Sequence, residues 1–148
     1  MKKVLAVASV GGHWIQLTRL QPAFEDMDLT FMTTKQSFKE MVPNYKFHVI
    51  NDANRNNKIK LVKVFFDIFI KIVKIKPDII ITTGAAPGLM AIIAGKLIGV
   101  KTIWIDSIAN VEELSMSGKI ASKIANRVYT QWEDLSNDKI IFKGNIIG

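Results

Sequence analysis

No cysteine occurs among the 148 residues. A disulfide framework and a thiolate metal site are therefore excluded, and the chain suits a reducing compartment. No stretch holds 18 uncharged apolar residues, so no membrane-spanning helix is expected. The apolar run after Met1-Lys2-Lys3 is short and breaks at Gly11-Gly12-His13, unlike a signal peptide. Gly-x-Gly-x-x-Gly is absent. The second strand run ends in Thr33-Thr34 rather than in an acid that could hold a ribose hydroxyl, which disfavours a nicotinamide dehydrogenase. Also missing are the Gly-Lys-Ser/Thr of a P-loop, a Gly-x-Ser-x-Gly elbow and His-Glu-x-x-His. No acidic cluster suggests a metal, and no cofactor is expected.

What remains is 49% hydrophobic and 22% charged, the balance of one globular domain over residues 1–148. The net charge of +7 is concentrated. Arg55, Lys58, Lys60, Lys63, Lys71, Lys74 and Lys76 lie between Ala53 and Lys76 with only Asp67 as an acid, a local charge of +6 that leaves +1 for everything else.

Apolar runs alternate with helical patterns. Strands are expected at Lys3–Ser9, Leu29–Thr33, Lys46–Ile50, Ile79–Thr83, Lys101–Asp106, Arg127–Thr130 and Lys139–Phe142. Helices are expected at His13–Glu25, Gln36–Met41, Lys58–Ile75, Leu89–Ile98 and Ser117–Asn126. Asn51–Asn57 reads as a loop, and Gly84–Gly88 as a turn with Pro87 suited to a first helical turn. Such alternation predicts an α/β fold, a parallel sheet with helices on both faces. In these sheets ligands bind at the carboxyl ends of the strands. Gly11-Gly12-His13, Gly84–Gly88 and Asp106-Ser107 should converge there.

Gly11 and Gly12 stand between a strand and a helix start, where free N–H groups and the helix dipole suit a phosphate; the same pair could be only a tight turn. His13 could be an incidental end residue. At a helix N-terminus the dipole biases an imidazole toward its neutral form, which can act as a general base. His48 sits on a strand pattern and reads as structural. Asp106 could cap its strand, or orient a hydroxyl or a base; Glu112 and Glu113 are weaker acid candidates. Trp14 and Trp104 read as core, and Trp132 as a surface aromatic. The Lys58–Ile75 helix has a narrow polar stripe (Lys60, Lys63, Asp67, Lys71, Lys74) and an unusually wide apolar face. It could cover the sheet, lie on an anionic membrane surface or pack on a partner subunit. A nucleic-acid partner is disfavoured, because the basic residues interleave with bulky aliphatics.

Three stretches, in this order, resemble Alg14-like oligosaccharide-biosynthesis subunits, including bacterial capsule and exopolysaccharide proteins. They are Ala8-Ser9-Val10-Gly11-Gly12-His13 with Leu17 and Leu20, Thr82-Thr83-Gly84-Ala85-Ala86-Pro87-Gly88, and Ile105-Asp106-Ser107 with Asn110. That family is similar to the N-terminal half of MurG-type transferases. The resemblance implies a Rossmann-like domain forming one half of a GT-B glycosyltransferase. It implies a peripheral subunit at the inner face of the plasma membrane that binds a polyprenyl-diphosphate-linked saccharide. A separate Alg13-like subunit would bind the UDP-sugar. Carried over by residue, Gly11 and Gly12 face the acceptor diphosphate, and Thr83, Gly84, Pro87, Gly88 and Ser107 line the same cleft. His13 is the candidate base and Asp106 a second catalytic candidate. MurG-type enzymes carry His-Glu-Gln-Asn where this chain has Ile105-Asp106-Ser107. Lys60, Lys63, Lys71 and Lys74 would meet membrane or partner. The alternative reading is a non-catalytic membrane adaptor that recruits and activates the catalytic partner; a self-contained nucleotide-binding domain is a third.

Overall fold

The computed structural model describes residues 1–52 and 56–147. Part of the loop expected over Asn51–Asn57, with Arg55, and the terminal Gly148 lie outside the described residues.

Seven strands form one sheet, all parallel: β1 (Lys3–Val7), β2 (Asp28–Thr33), β3 (Lys46–Val49), β4 (Ile79–Thr82), β5 (Lys101–Ile105), β6 (Arg127–Thr130) and β7 (Ile140–Phe142). Their order is β3-β2-β1-β4-β5-β6-β7. The chain moves outward to β3, then returns to lay β4 beside β1, so strand order reverses between β1 and β4. Val7 is in register with Met32 on one side and Thr82 on the other, which sets three strand ends level.

The helices are α1 (Gly12–Arg19), α2 (Lys58–Ile75), α3 (Ala85–Leu97) and α4 (Met116–Ala121). Alternation along β1 feeds two cores. Leu5 and Val7 join Val64, Ile68 and Ile72 of α2 and Ala91 and Ala94 of α3. Val4, Ala6 and Ala8 face Trp14 and Leu17 of α1 on the other side. Val64, Ile68 and Ile72 recur every four residues and are the buried row of α2. Each contributes on the order of 1.5–3 kcal/mol by leaving water. Trp14 and Trp104 are fully buried, as their sequence context indicates. Trp132 is half-buried instead of a surface aromatic, because its indole Nε1–H donates to the Ile108 carbonyl at 2.7 Å.

Three helix boundaries differ from the sequence expectation. Helix α1 stops at Arg19, not Glu25, and a 3-10 turn follows over Gln21–Phe24. Pro22 has no N–H to give the preceding turn and its ring would clash there. Helix α3 begins at Ala85, so of Gly84–Gly88 only Gly84 precedes the helix; Pro87 occupies the first helical turn. Helix α4 spans Met116–Ala121 rather than Ser117–Asn126. Ser115 caps it, accepting from Gly118 N at 2.9 Å. At its far side Asn126 leaves the helical path to accept from Thr102 N and Oγ1.

His48 lies on β3, half-buried, and plays no part in the strand-end cleft. Burial, then the charge of Lys71, holds its imidazole below the usual range. The folded state thus disfavours the protonated form. This stability is present above the free value of 6.5 and is lost as pH falls through the lower folded value. Melting temperature is expected to fall less steeply in His48→Asn than in the wild type between about pH 7.5 and about pH 5.5. Equal slopes in a calorimetric series would contradict this.

Candidate functional site

Strand-end loops converge at the β1–β4 reversal. They enclose an open cleft of about 460 Å³. Ser9, Val10 and His13 come from the β1–α1 junction, Thr83–Pro87 from the β4–α3 junction, and Asp106, Ser107 and Ser115–Ser117 from the segment between β5 and the start of α4.

The two turns are locked by a reciprocal pair of hydrogen bonds. The Thr83 hydroxyl donates to the His13 carbonyl at 2.6 Å, and His13 Nδ1 lies 3.1 Å from the Thr83 carbonyl. A carbonyl only accepts, so Nδ1 carries the proton. In the neutral ring Nε2 is then the unprotonated nitrogen. Gly84 is required twice. Its φ is 137°, and a Cβ there would stand 2.7 Å from His13 Nδ1. Ala85 follows with φ 68°, a left-handed strain of about 1–2 kcal/mol kept at the cleft.

Gly11 has φ 89° and heads α1; neither it nor Gly12 lines the cleft wall. Both are exposed at the rim, with open space where a side chain would project. Gly88, expected in the cleft, packs against the sheet instead: a Cβ would meet Thr82 Oγ1 at 2.1 Å. Thr83 is fully buried and positions His13. Of the helices that start at the cleft, α1 and α3 have no side-chain cap, whereas α4 is capped by Ser115; away from it α2 is capped by Asn57. Uncapped N–H groups at two helix starts leave donors available for an anion.

Asp106 is 2% exposed and its oxygens are occupied. Oδ1 accepts from Trp104 Nε1 at 3.0 Å and Ser115 Oγ at 2.7 Å; Oδ2 accepts from Asn110 Nδ2 and Ser115 N, both at 3.1 Å. It therefore shapes the loop from Ser107 to Ser115 rather than offering a free carboxylate. Two glutamines that sequence reasoning missed hold its backbone. Gln16 and Gln131, each 3% exposed, both donate to the Asp106 carbonyl, at 3.2 and 3.0 Å. Gln16 also accepts from Ile108 N. Ser107 Oγ accepts from Ala109 N at the cleft edge. Glu112 and Glu113 are exposed outside the cleft; the charge-assisted bond from Lys119 holds Glu113 below the usual carboxylate range.

Asp52, also missed, lines the cleft mouth and a neighbouring hollow of about 400 Å³ bordered by Lys60 and Lys63. Lys71 is paired with Asp67, and Lys74 is exposed one turn beyond Lys71. Beside this lysine stripe α2 exposes Ile59, Val62, Phe66, Ile70 and Val73 on one helical face. Among the described residues no helix is long and apolar enough to cross a membrane, and no group of His, Asp or Glu could hold a metal ion.

The family described as oligosaccharide biosynthesis protein Alg14 like matches residues 24–146. The chain belongs to this family. A relative named UDP-N-acetylglucosamine transferase subunit ALG14, from Mus musculus, is 24% identical over 98% of this chain and 83% of its own length. The Cryptococcus neoformans protein of the same name is 40% identical over 48 residues, 32% of this Alg14-like chain and 21% of its own. Among solved structures, MurG of Acinetobacter baumannii superposes with a TM-score of 0.80 at 15% identity, over 98% of this chain and 46% of that one. UDP-GlcNAc 2-epimerase of Methanocaldococcus jannaschii gives 0.73 at 18% identity, over 99% of this chain and 46% of the epimerase. The chain thus spans about half of the structures it matches. Its Rossmann-like sheet is the fold of one half of a GT-B glycosyltransferase.

Asp106→Asn would turn one acceptor oxygen into a donor facing two donors. Unfolding free energy is expected to drop by about 2–4 kcal/mol, read by chemical denaturation. A carboxylate serving only in catalysis would leave it unchanged.

Proposed function

We propose that this Alg14-like chain is the acceptor-binding subunit of a two-chain glycosyltransferase. The donor is a UDP-sugar, UDP-N-acetylglucosamine by analogy with the named relatives, held by an Alg13-like partner. The acceptor is a polyprenyl-diphosphate-linked saccharide, in capsule or exopolysaccharide synthesis. The observation that carries this is His13, whose Nδ1–H is committed to Thr83 and whose Nε2 is left as acceptor. Nε2 takes the proton of the acceptor hydroxyl. That oxygen attacks the anomeric carbon, UDP departs, and the configuration inverts. The acceptor diphosphate lies at the uncapped starts of α1 and α3, beside Gly11, Gly12 and Gly84. Asp106 contributes by holding the Ser107–Ser115 loop, and Thr83 by holding His13; Pro87 and Ser107 line the bound acceptor.

The exposed apolar face of α2 and its lysines, Lys60, Lys63 and Lys74 above all, would rest on an anionic membrane. The subunit would then work at the inner face of the plasma membrane. The same face also favours a second reading, a membrane adaptor whose partner holds all the chemistry.

His13→Ala separates the two. In the reconstituted pair, sugar transfer is expected to fall by about 10²–10⁴-fold, with complex formation and melting temperature little changed. Undiminished turnover would rule out the base and leave the adaptor.

A further inference from the structure

A second cavity, of about 340 Å³, lies at the end of β5, where Ile105 lines it while the next residue, Asp106, lines the His13 cleft. Its walls are apolar at Leu20, Ile105 and Ile146. Tyr129, half-buried, also lines it.

The charged side chains around this cavity, among the described residues, are of one sign. Arg19 reaches it from the end of α1, and Lys143 from the segment after β7. Neither cation has an ion-pair partner among the described residues. Asn145 Oδ1 is taken by Ile147 N, which leaves its amide N–H groups as donors. Gln131 is spent on both ends: it donates to the Asp106 carbonyl and accepts from Ile146 N at 3.0 Å. Among the described residues no carboxylate lines the cavity. In contrast, the His13 cleft contains Asp52 and Asp106.

We infer that this cavity binds an organic phosphate monoester with a ring-sized apolar body. Two unpaired cations match a phosphate of charge about −1.5 to −2. The guanidinium fork of Arg19 suits two of its oxygens, while Lys143 supplies a mobile point charge. The ring rests on Leu20, Ile105 and Ile146 beside Tyr129. The volume falls within the range of about 300–1,000 Å³ usual for small-molecule sites. The position, at the carboxyl ends of β5 and β6, is where an open parallel sheet takes ligands. This inference is independent of the acceptor reading, because none of these residues lines the His13 cleft.

Phenyl phosphate, inorganic phosphate and benzyl alcohol are the probes, titrated into isotopically labelled full chain and followed by NMR. Phenyl phosphate is expected to shift the Tyr129 and Ile146 signals saturably, at least about tenfold more tightly than inorganic phosphate, with benzyl alcohol weaker still. The Gln131 side-chain amide moves with them, and the His13 ring signals stay in place. Arg19→Glu with Lys143→Glu should weaken phenyl phosphate at least about tenfold while signal dispersion is retained. Absence of saturation, equal affinity for inorganic phosphate, or unchanged affinity in the double variant would each overturn the inference. So would shifts centred on His13. If the double variant loses dispersion, Arg19→Gln and Lys143→Gln singly decide the matter on the same criterion.

Discussion

The site depends on two hydrogen bonds exchanged between His13 and Thr83 across the β1–β4 reversal. Each loop alone is a short turn of small residues with little to hold its shape. Joined, they fix the imidazole's plane, its tautomer and the separation of two helix starts. Gly84 is the consequence: the ring lies where any Cβ would stand, and the backbone adopts a φ that only glycine takes readily. The strain at Ala85 is sustained by the same lock, since a left-handed alanine persists only where its surroundings over-determine it.

Around that lock the remaining polar groups are committed to scaffolding. Asp106 collects four donors, Gln16 and Gln131 clamp its carbonyl, and Trp132 pins Ile108. A loop of irregular backbone is thereby fixed without regular secondary structure, and buried donors find acceptors. The division is physical: groups saturated by the protein shape the cleft, while His13 Nε2 and the free N–H groups of α1 and α3 remain for a ligand.

The fold was largely legible in the sequence because the central strands, β1 and β4 above all, are apolar runs between glycine, proline or polar breaks. Lys58–Ile75 was legible to the residue, because its polar stripe recurs every three or four residues. The misjudged boundaries have local causes. Pro22 shortens α1, and the return into β6 shortens α4. The convergence of three strand ends also followed from pattern alone. Their inner details did not. Gln16 sits between Ile15 and Leu17 and reads as a solvent-facing helix residue; nothing local says that it bonds Asp106, ninety residues on. Asp106 looked available because a sequence shows no hydrogen-bond partners. Gly88 looked like a ligand-facing glycine when its demand is set by Thr82 underneath. Asp52 belongs to a polar loop and acquires meaning only from the cleft beside it.

The central claim is that Thr83 dictates which nitrogen of His13 is free. The most direct measurement is the imidazole tautomer, read from long-range ¹⁵N–¹H correlations in the neutral ring. The account predicts the Nδ1–H form for His13, and a shift toward the Nε2–H form when Gly84→Ala pushes the ring off the Thr83 carbonyl. An Nε2–H tautomer in the native chain would contradict it, because Nε2 could then take no proton.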